Sequence, residues 1–198
     1  MYLRYGKRAL DIALSLLALT VLSIPGALIA IWIKLDSKGA VFFRQKRVGK
    51  GKSLFKIYKF RTMRTDAPAD APTHLLQNPA SYITKSGAFL RKTSLDELPQ
   101  LINILKGEMS FIGPRPALWN QYDLLLERDK YGANDVLPGL SGWAQINGRD
   151  ELPIPEKARL DGEYVKHMGF AMDMKCFFLT FLSVLRHEGV AEGGGNAP

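Results

Sequence analysis

Two adjacent carboxylates, Asp96 and Glu97, stand out in the run Arg91-Lys92-Thr93-Ser94-Leu95-Asp96-Glu97-Leu98-Pro99-Gln100. An ionised carboxylate is a competent nucleophile toward an electrophilic centre, and Arg91 and Lys92 supply the positive charge that a phosphate substrate needs. The same residues also fit a capping box, with Ser94 at the N-cap and Glu97 reaching back to its amide. Both readings stand together if Glu97 caps and Asp96 points out, its charge then favoured by the helix N-terminus. A second constellation is Phe111-Ile112-Gly113-Pro114-Arg115-Pro116. Two prolines stiffen the backbone around Arg115, whose guanidinium matches phosphate oxygens in a bidentate way. The third runs from Pro138 through Gly139, Ser141, Gly142 and Trp143 to Arg149. Its glycines allow close backbone approach, while Gln145, Asn147 and Arg149 offer donors for a nucleotide or sugar. Lys59 and Arg61 add two cations in Tyr58-Lys59-Phe60-Arg61-Thr62-Met63. Each loop taken alone fits a structural role equally well.

The elements that must position these groups begin with an apolar segment. Residues 9–35 are almost continuously apolar, and a straight helix of that length is ~40 Å long, enough for a ~30 Å hydrocarbon core. A cleaved signal peptide is a poor match, because the run is too long and no small-x-small site precedes the basic stretch. Positive charge flanks both ends: Arg4, Lys7 and Arg8 before, and eleven Lys or Arg against Asp36 alone across residues 34–64, a segment charge of 11 − 1 = +10. Both ends therefore favour the cytoplasmic side, which predicts a segment that dips into one leaflet and returns, in preference to a straight span. Pro25 lies at the middle of the segment, with Ser23 and Gly26 beside it, and is expected to make the kink. Asp11 is expected to reach the headgroups or pair with Arg8. The basic stretch calls for a polyanion, and its position beside a membrane segment favours a lipid surface or phosphorylated substrate over nucleic acid.

At 198 residues with 46% hydrophobic and 23% charged residues, the chain has the length for one core plus an anchor. Residues 40–45 and 54–60 read as two strands of a hairpin around the turn Gly49-Lys50-Gly51-Lys52. Residues 65–79 read as a loop, and residues 98–105, 119–130, 156–165 and 172–185 as helices, the last in the core or at the membrane interface. The expected fold class is α+β and mainly helical: a re-entrant membrane helix hairpin, then a small cytoplasmic domain with a short β-hairpin and interfacial amphipathic helices. The expected division is an anchor over 1–38, a catalytic domain over 39–190 and a disordered tail over 191–198. Cys176 reads as a buried, inert thiol, and His74, His167 and His187 have no zinc spacing. No GxGxxG or Walker loop is present.

The segments 58–63, 91–100, 106–116 and 138–149, in this order behind a proline-broken anchor, resemble the bacterial sugar transferase family, the monotopic phosphoglycosyl transferases, in a minimal catalytic form. The likeness covers nearly the whole chain. It implies an Asp-Glu dyad, Mg2+, a UDP-sugar donor, a polyprenyl (undecaprenyl) phosphate acceptor and a place on the cytoplasmic face of the bacterial inner membrane. Carried onto this sequence, it makes Asp96 the nucleophile and metal ligand, Glu97 its partner, and Lys59, Arg115 and Arg149 phosphate ligands. By the resemblance Asp161 matches a further functional acid, while Arg61, Arg91 and Gln145 are read from their own charge and donors as further substrate-binding residues. The implied reaction passes through a phospho-sugar on Asp96 and releases UMP. A UDP-releasing glycosyltransferase and a noncatalytic membrane scaffold stay open as alternatives, as does homodimerisation. One departure concerns the kink, where Ile24 separates Ser23 from Pro25 and the family has an adjacent Ser-Pro pair.

Overall fold

In the computed structural model, which describes residues 1–68, 78–148 and 152–185, a π-helical turn at Tyr2–Gly6 leads into helix α1, Lys7–Val21. Helix α2, Ser23–Asp36, follows at a bend of 62°. The break falls on Leu22 (φ −89°, ψ 6°), three residues before Pro25. A proline ring clashes with the carbonyl four residues back and offers it no N–H, so the disturbance from Pro25 lands at Val21. Ser23 Oγ donates to the Thr20 carbonyl at 2.8 Å across the break, so the separated Ser23 and Pro25 still serve one kink. The arms form an open V, wider than an antiparallel hairpin. Leu16, Leu17, Val21, Ile24, Leu28 and Leu35 are exposed along it, as expected for lipid-facing side chains. Among the described residues no single helix is long and apolar enough to cross a bilayer, whereas the bent pair together meets length and composition.

The V is fastened to the rest of the chain by its few polar residues. Arg8 donates to the carbonyls of Ile104 and Leu105 at 2.5 and 2.7 Å. Asp11 does not reach solvent or pair with Arg8: it is buried and accepts from Ser110 Oγ at 3.1 Å and the Phe111 amide at 3.0 Å. Lys7 and Tyr2 both meet the buried Asp173, at 2.5 and 2.6 Å. Apolar contact does the remainder. Ala18, Leu19 and Leu22 pack on Phe55, Ile57, Leu101, Ile104 and Met109, while Ile29 and Ile33 share a cluster with Phe60 and Leu90.

Strands β1, Phe42–Val48, and β2, Leu54–Phe60, form the antiparallel hairpin, in register from Phe42↔Phe60 to Val48↔Leu54. Gly51 takes φ +62° in the connecting turn, a left-handed conformation that glycine adopts without strain. Helices α3, Lys85–Lys92, and α4, Gln100–Lys106, follow. Strand β3, Ser110–Ile112, then leads to helix α5, Tyr122–Asp129. Strand β4, Gly139–Ser141, pairs parallel with β3, a second small sheet absent from the sequence reading. Helices α6, Trp143–Ile146, α7, Ile154–Lys166, and α8, Phe170–Leu185, complete the described chain. Along α8, Asp173 and Cys176 are buried while Phe177, Phe178, Phe181 and Leu182 are exposed. Burial pushes the Cys176 thiol up to about 11, in keeping with an inert side chain. The expected tail and residues 69–77 of the expected loop lie outside the described residues.

Candidate active site

The dyad sits on a 3-10 turn, Leu95–Glu97, entered through Ser94 in the left-handed region at φ +56°. The capping box does not form. Ser94 makes no capping hydrogen bond, and α4 starts only at Gln100, after Pro99. Glu97 turns to cations instead: it accepts from Lys59 Nζ at 2.7 Å, with Arg115 Nη2 at 3.4 Å from the same oxygen. Asp96 is only 8% exposed, and its Oδ2 lies 3.8 Å from Lys59 Nζ. Burial pushes the Asp96 carboxyl above its ordinary value; Lys59 pulls it down, Glu97 pushes it up, and Arg91 and Arg115 pull it down. Lys59, Arg91 and Arg115 therefore replace the expected helix N-terminus as the groups that favour an anion here. Three cations against two carboxylates leave 3 − 2 = +1, a balance suited to an incoming diphosphate.

Each member of this group is held by a distinct piece of backbone. Lys59 projects from β2, which is fixed against α4 by the fully buried Asn103. Its amide accepts from the Tyr58 N–H at 3.0 Å and donates to the Lys56 carbonyl at 2.8 Å. Arg91 stands on the last turn of α3 and donates to Thr62 Oγ1 at 2.9 Å. That approach depends on Gly87, because a Cβ there would lie 2.0 Å from the Thr62 carbonyl oxygen. Arg115 follows β3 in a loop locked to β4, where Gly113 N–H donates to Ser141 O at 2.8 Å and Gly139 N–H to Pro114 O at 2.9 Å. A Cβ on Gly139 or Gly142 would fall 2.1 or 2.0 Å from Gly113 backbone atoms. These glycines thus bring the third motif against the loop that presents Arg115.

Lys59, Arg91, Asp96, Glu97 and Arg115 are brought together as expected from the sequence. Arg61 is placed elsewhere. It is 6% exposed, and its guanidinium donates to the carbonyls of Ala40, Lys38 and Ser37 at 2.6, 2.8 and 2.9 Å, stitching the exit of α2 to the hairpin. Three of its five donors are thereby committed to backbone carbonyls. Asp161 is likewise committed, to Arg128 in a buried ion pair at 2.6 Å between α7 and α5. Gln145 donates to the Leu140 carbonyl at 3.1 Å, within its own motif. Arg149 lies outside the described residues. Ser23 and Pro25 belong to the kink. Asn103 and Gln100 were missed by sequence reasoning. Their signal was present as amides interrupting the apolar run of Leu98, Leu101, Ile102 and Leu105.

Among the described residues no group of three or more His, Cys, Asp or Glu side chains is placed to cage a metal. Magnesium does not demand one, since it is commonly held by one or two carboxylates together with substrate phosphates and water, a donor set that Asp96 and Glu97 fit.

The sequence profile described as bacterial sugar transferase matches residues 2–187. The uncharacterized sugar transferase EpsL of Bacillus subtilis is 38% identical over 186 residues, which cover 94% of this chain and 90% of that protein. The UDP-glucose:undecaprenyl-phosphate glucose-1-phosphate transferase of Escherichia coli is 44% identical over 185 residues, 89% of this chain and 39% of that protein. The UDP-N-acetylgalactosamine-undecaprenyl-phosphate N-acetylgalactosaminephosphotransferase of Aeromonas hydrophila is 37% identical, over 90% of this chain and 43% of that protein. This chain therefore spans less than half of the two relatives whose names state an activity. With a profile running from residue 2 to residue 187 and a cation-lined Asp-Glu pair within it, the chain belongs to the bacterial sugar transferase family.

Proposed function

We propose that this chain transfers a sugar 1-phosphate from a UDP-sugar to undecaprenyl phosphate, releasing UMP, as the first membrane step of glycan or polysaccharide assembly. The observation that carries the reading is the Asp96–Glu97 pair facing Lys59 and Arg115, in a chain related to enzymes named for this transfer. Two carboxylates that only stabilised a helix start would not gather three cations.

In the first step an Asp96 carboxylate oxygen attacks the sugar-linked phosphorus. The Oδ–P bond forms, the bridging P–O bond breaks, and its electron pair leaves with UMP. In the second, a phosphate oxygen of the lipid attacks the same phosphorus and the Oδ–P bond breaks, restoring the carboxylate. Arg115 and Arg91 hold the diphosphate, and Lys59 fixes Glu97 beside the nucleophile. A bound magnesium ion would supply charge neutralisation on the diphosphate, held by Asp96 and Glu97. The bent anchor enters and leaves the same leaflet, with both termini on the cytoplasmic face of the inner membrane. That keeps the dyad at headgroup depth, within reach of a soluble donor and a lipid acceptor.

The test is Asp96→Asn. The variant folds and melts close to wild type, and loses turnover by on the order of 10³–10⁴-fold. Wild type given UDP-glucose or UDP-N-acetylgalactosamine without acceptor gains one phospho-sugar on the peptide containing Asp96. Undecaprenyl phosphate discharges it. An Asn variant that turns over at a near-normal rate, or release of UDP in place of UMP, refutes the assignment.

A further inference from the structure

Gln100 is 2% exposed, and its Nε2 is buried with no hydrogen-bond partner among the described residues. An amide donor in that state is costly, on the order of 1–3 kcal/mol, so its retention in a core position calls for a use. Its place suggests one. The backbone from Leu95 keeps right-handed helical angles through Leu98 (φ −51°, ψ −38°) and Pro99 (φ −63°, ψ −14°) into α4. Gln100 thus follows Asp96 by four residues, a little over one turn of a stretch whose backbone hydrogen bonds run from i to i+3. One turn further along, Asn103 is bonded to the backbone of β2, the strand that carries Lys59. Gln100 lies between that clamp and the dyad.

The two carboxylates are unequally supplied with donors. Glu97 already accepts from Lys59 at 2.7 Å and has Arg115 at 3.4 Å. Asp96 has Lys59 at 3.8 Å, beyond hydrogen-bond length, and no hydrogen bond to any described residue. A buried acceptor short of donors therefore stands one turn from a buried donor short of an acceptor.

We propose that Gln100 is the positioning residue for Asp96: its Nε2 donates to one carboxylate oxygen and leaves the other aimed at the phosphorus. This rests on the reading of Asp96 as nucleophile. With that bond made, the attacking oxygen is fixed by the protein interior while Lys59 and Arg115 remain with Glu97 and the substrate. Misalignment of a nucleophile by about 1 Å costs on the order of 10²-fold in rate, which sets the scale of the expected effect.

The experiment compares the full-length wild type with Gln100→Met and Gln100→Glu in detergent, by single-turnover UMP release and adduct mass with UDP-glucose and UDP-N-acetylgalactosamine. Gln100→Met keeps the volume and removes the unpaired donor, so it melts at or above wild type. Its adduct-forming rate falls about 10–100-fold, while the half-saturating UDP-sugar concentration stays within about twofold. Gln100→Glu keeps the length, lacks the amide donor, and falls at least as far. A wild-type rate in either variant overturns the inference. So does a Met variant that melts well below wild type, which would reveal a structural partner for Nε2, or a rate loss that disappears at saturating donor. A wild type that forms no adduct with either donor refutes the nucleophile reading itself, and this inference with it. A charged wild type beside an unimpaired variant refutes Gln100 alone.

Discussion

Replacing Asp161 separates a substrate-binding acid from a structural one. Its carboxylate accepts from Arg128 Nε at 2.8 Å and Nη2 at 2.6 Å, and the two residues are 1% and 4% exposed. Burial pushes the Asp161 carboxyl above its ordinary value, and Arg128 pulls it back. The pair joins α7 to α5 beside Gly162, where a Cβ would lie 2.4 Å from Tyr131 Cβ, so the helices have no slack to admit water. Asp161→Ala strands a guanidinium in that interface, which costs about 3–5 kcal/mol. For a chain of this size each kcal/mol moves the midpoint by about 2–4 °C, so the variant melts about 6–20 °C low. Arg128→Met combined with Asp161→Leu removes both charges, and such replacements of a buried pair are close to neutral or stabilising. The assay is thermal unfolding in detergent followed by UMP release at a temperature where every variant is folded. The double variant should recover both the midpoint and most of the activity. A double variant that is stable yet inactive would show that Asp161 acts on substrate, and an Asp161→Ala midpoint equal to wild type would show that the pair does not hold the helices.

Three further outcomes follow from single contacts. Arg61→Lys retains charge but cannot bridge the carbonyls of Ser37, Lys38 and Ala40, so its melting point falls while the half-saturating UDP-sugar concentration is unchanged; a rise in that concentration without destabilisation would return Arg61 to the substrate. Asp129 is held below the ordinary carboxylate value by Lys52 and Asn134, so its contribution is present above 3.8 and is lost as the pH falls through the lowered value. Asp129→Asn accordingly melts slightly low at neutral pH and matches wild type in acid, and a gap that persists in acid melting curves contradicts the ionic origin. Pro25→Ala restores an N–H for the Val21 carbonyl and straightens the break at Leu22, which shifts some molecules toward a spanning form. Labelling of Leu3→Cys and Asn196→Cys from either side of the membrane measures that shift, and an unchanged pattern shows that the bend does not need Pro25.

Local chemistry was legible in the sequence where a residue type has few places to go. The hairpin strand at residues 54–60 matches β2 as found, because alternating Phe55, Ile57 and the turn at Gly51 leave little choice of register. Lys59, Asp96, Glu97 and Arg115 were legible as a group through the family resemblance of the segments that carry them. What failed were statements about partners distant in sequence. Nothing near Asp11 announces Ser110 and Phe111, 99 and 100 residues away, and nothing near Asp161 announces Arg128, 33 residues earlier. The capping box failed for a local reason instead. Pro99 delays α4 until Gln100, so the Ser-x-x-Glu pattern ends up on a tighter turn whose entry residue is left-handed.

The same long-range bonds explain why the anchor and the dyad belong to one mechanical unit. Arg8 on α1 grips the last carbonyls of α4, and the first residue of α4 follows the dyad turn by three positions. Asp36, at the end of α2, accepts from the Ser86 N–H and Oγ, both at 2.8 Å, at the start of α3. At the other end of that short helix stands Arg91, one of the cations on Asp96. Each arm of the V is thus one helix away from Asp96, by a separate route. A displacement of either arm moves an element that carries a dyad contact, because packed helices of seven or eight residues transmit shifts as rigid bodies.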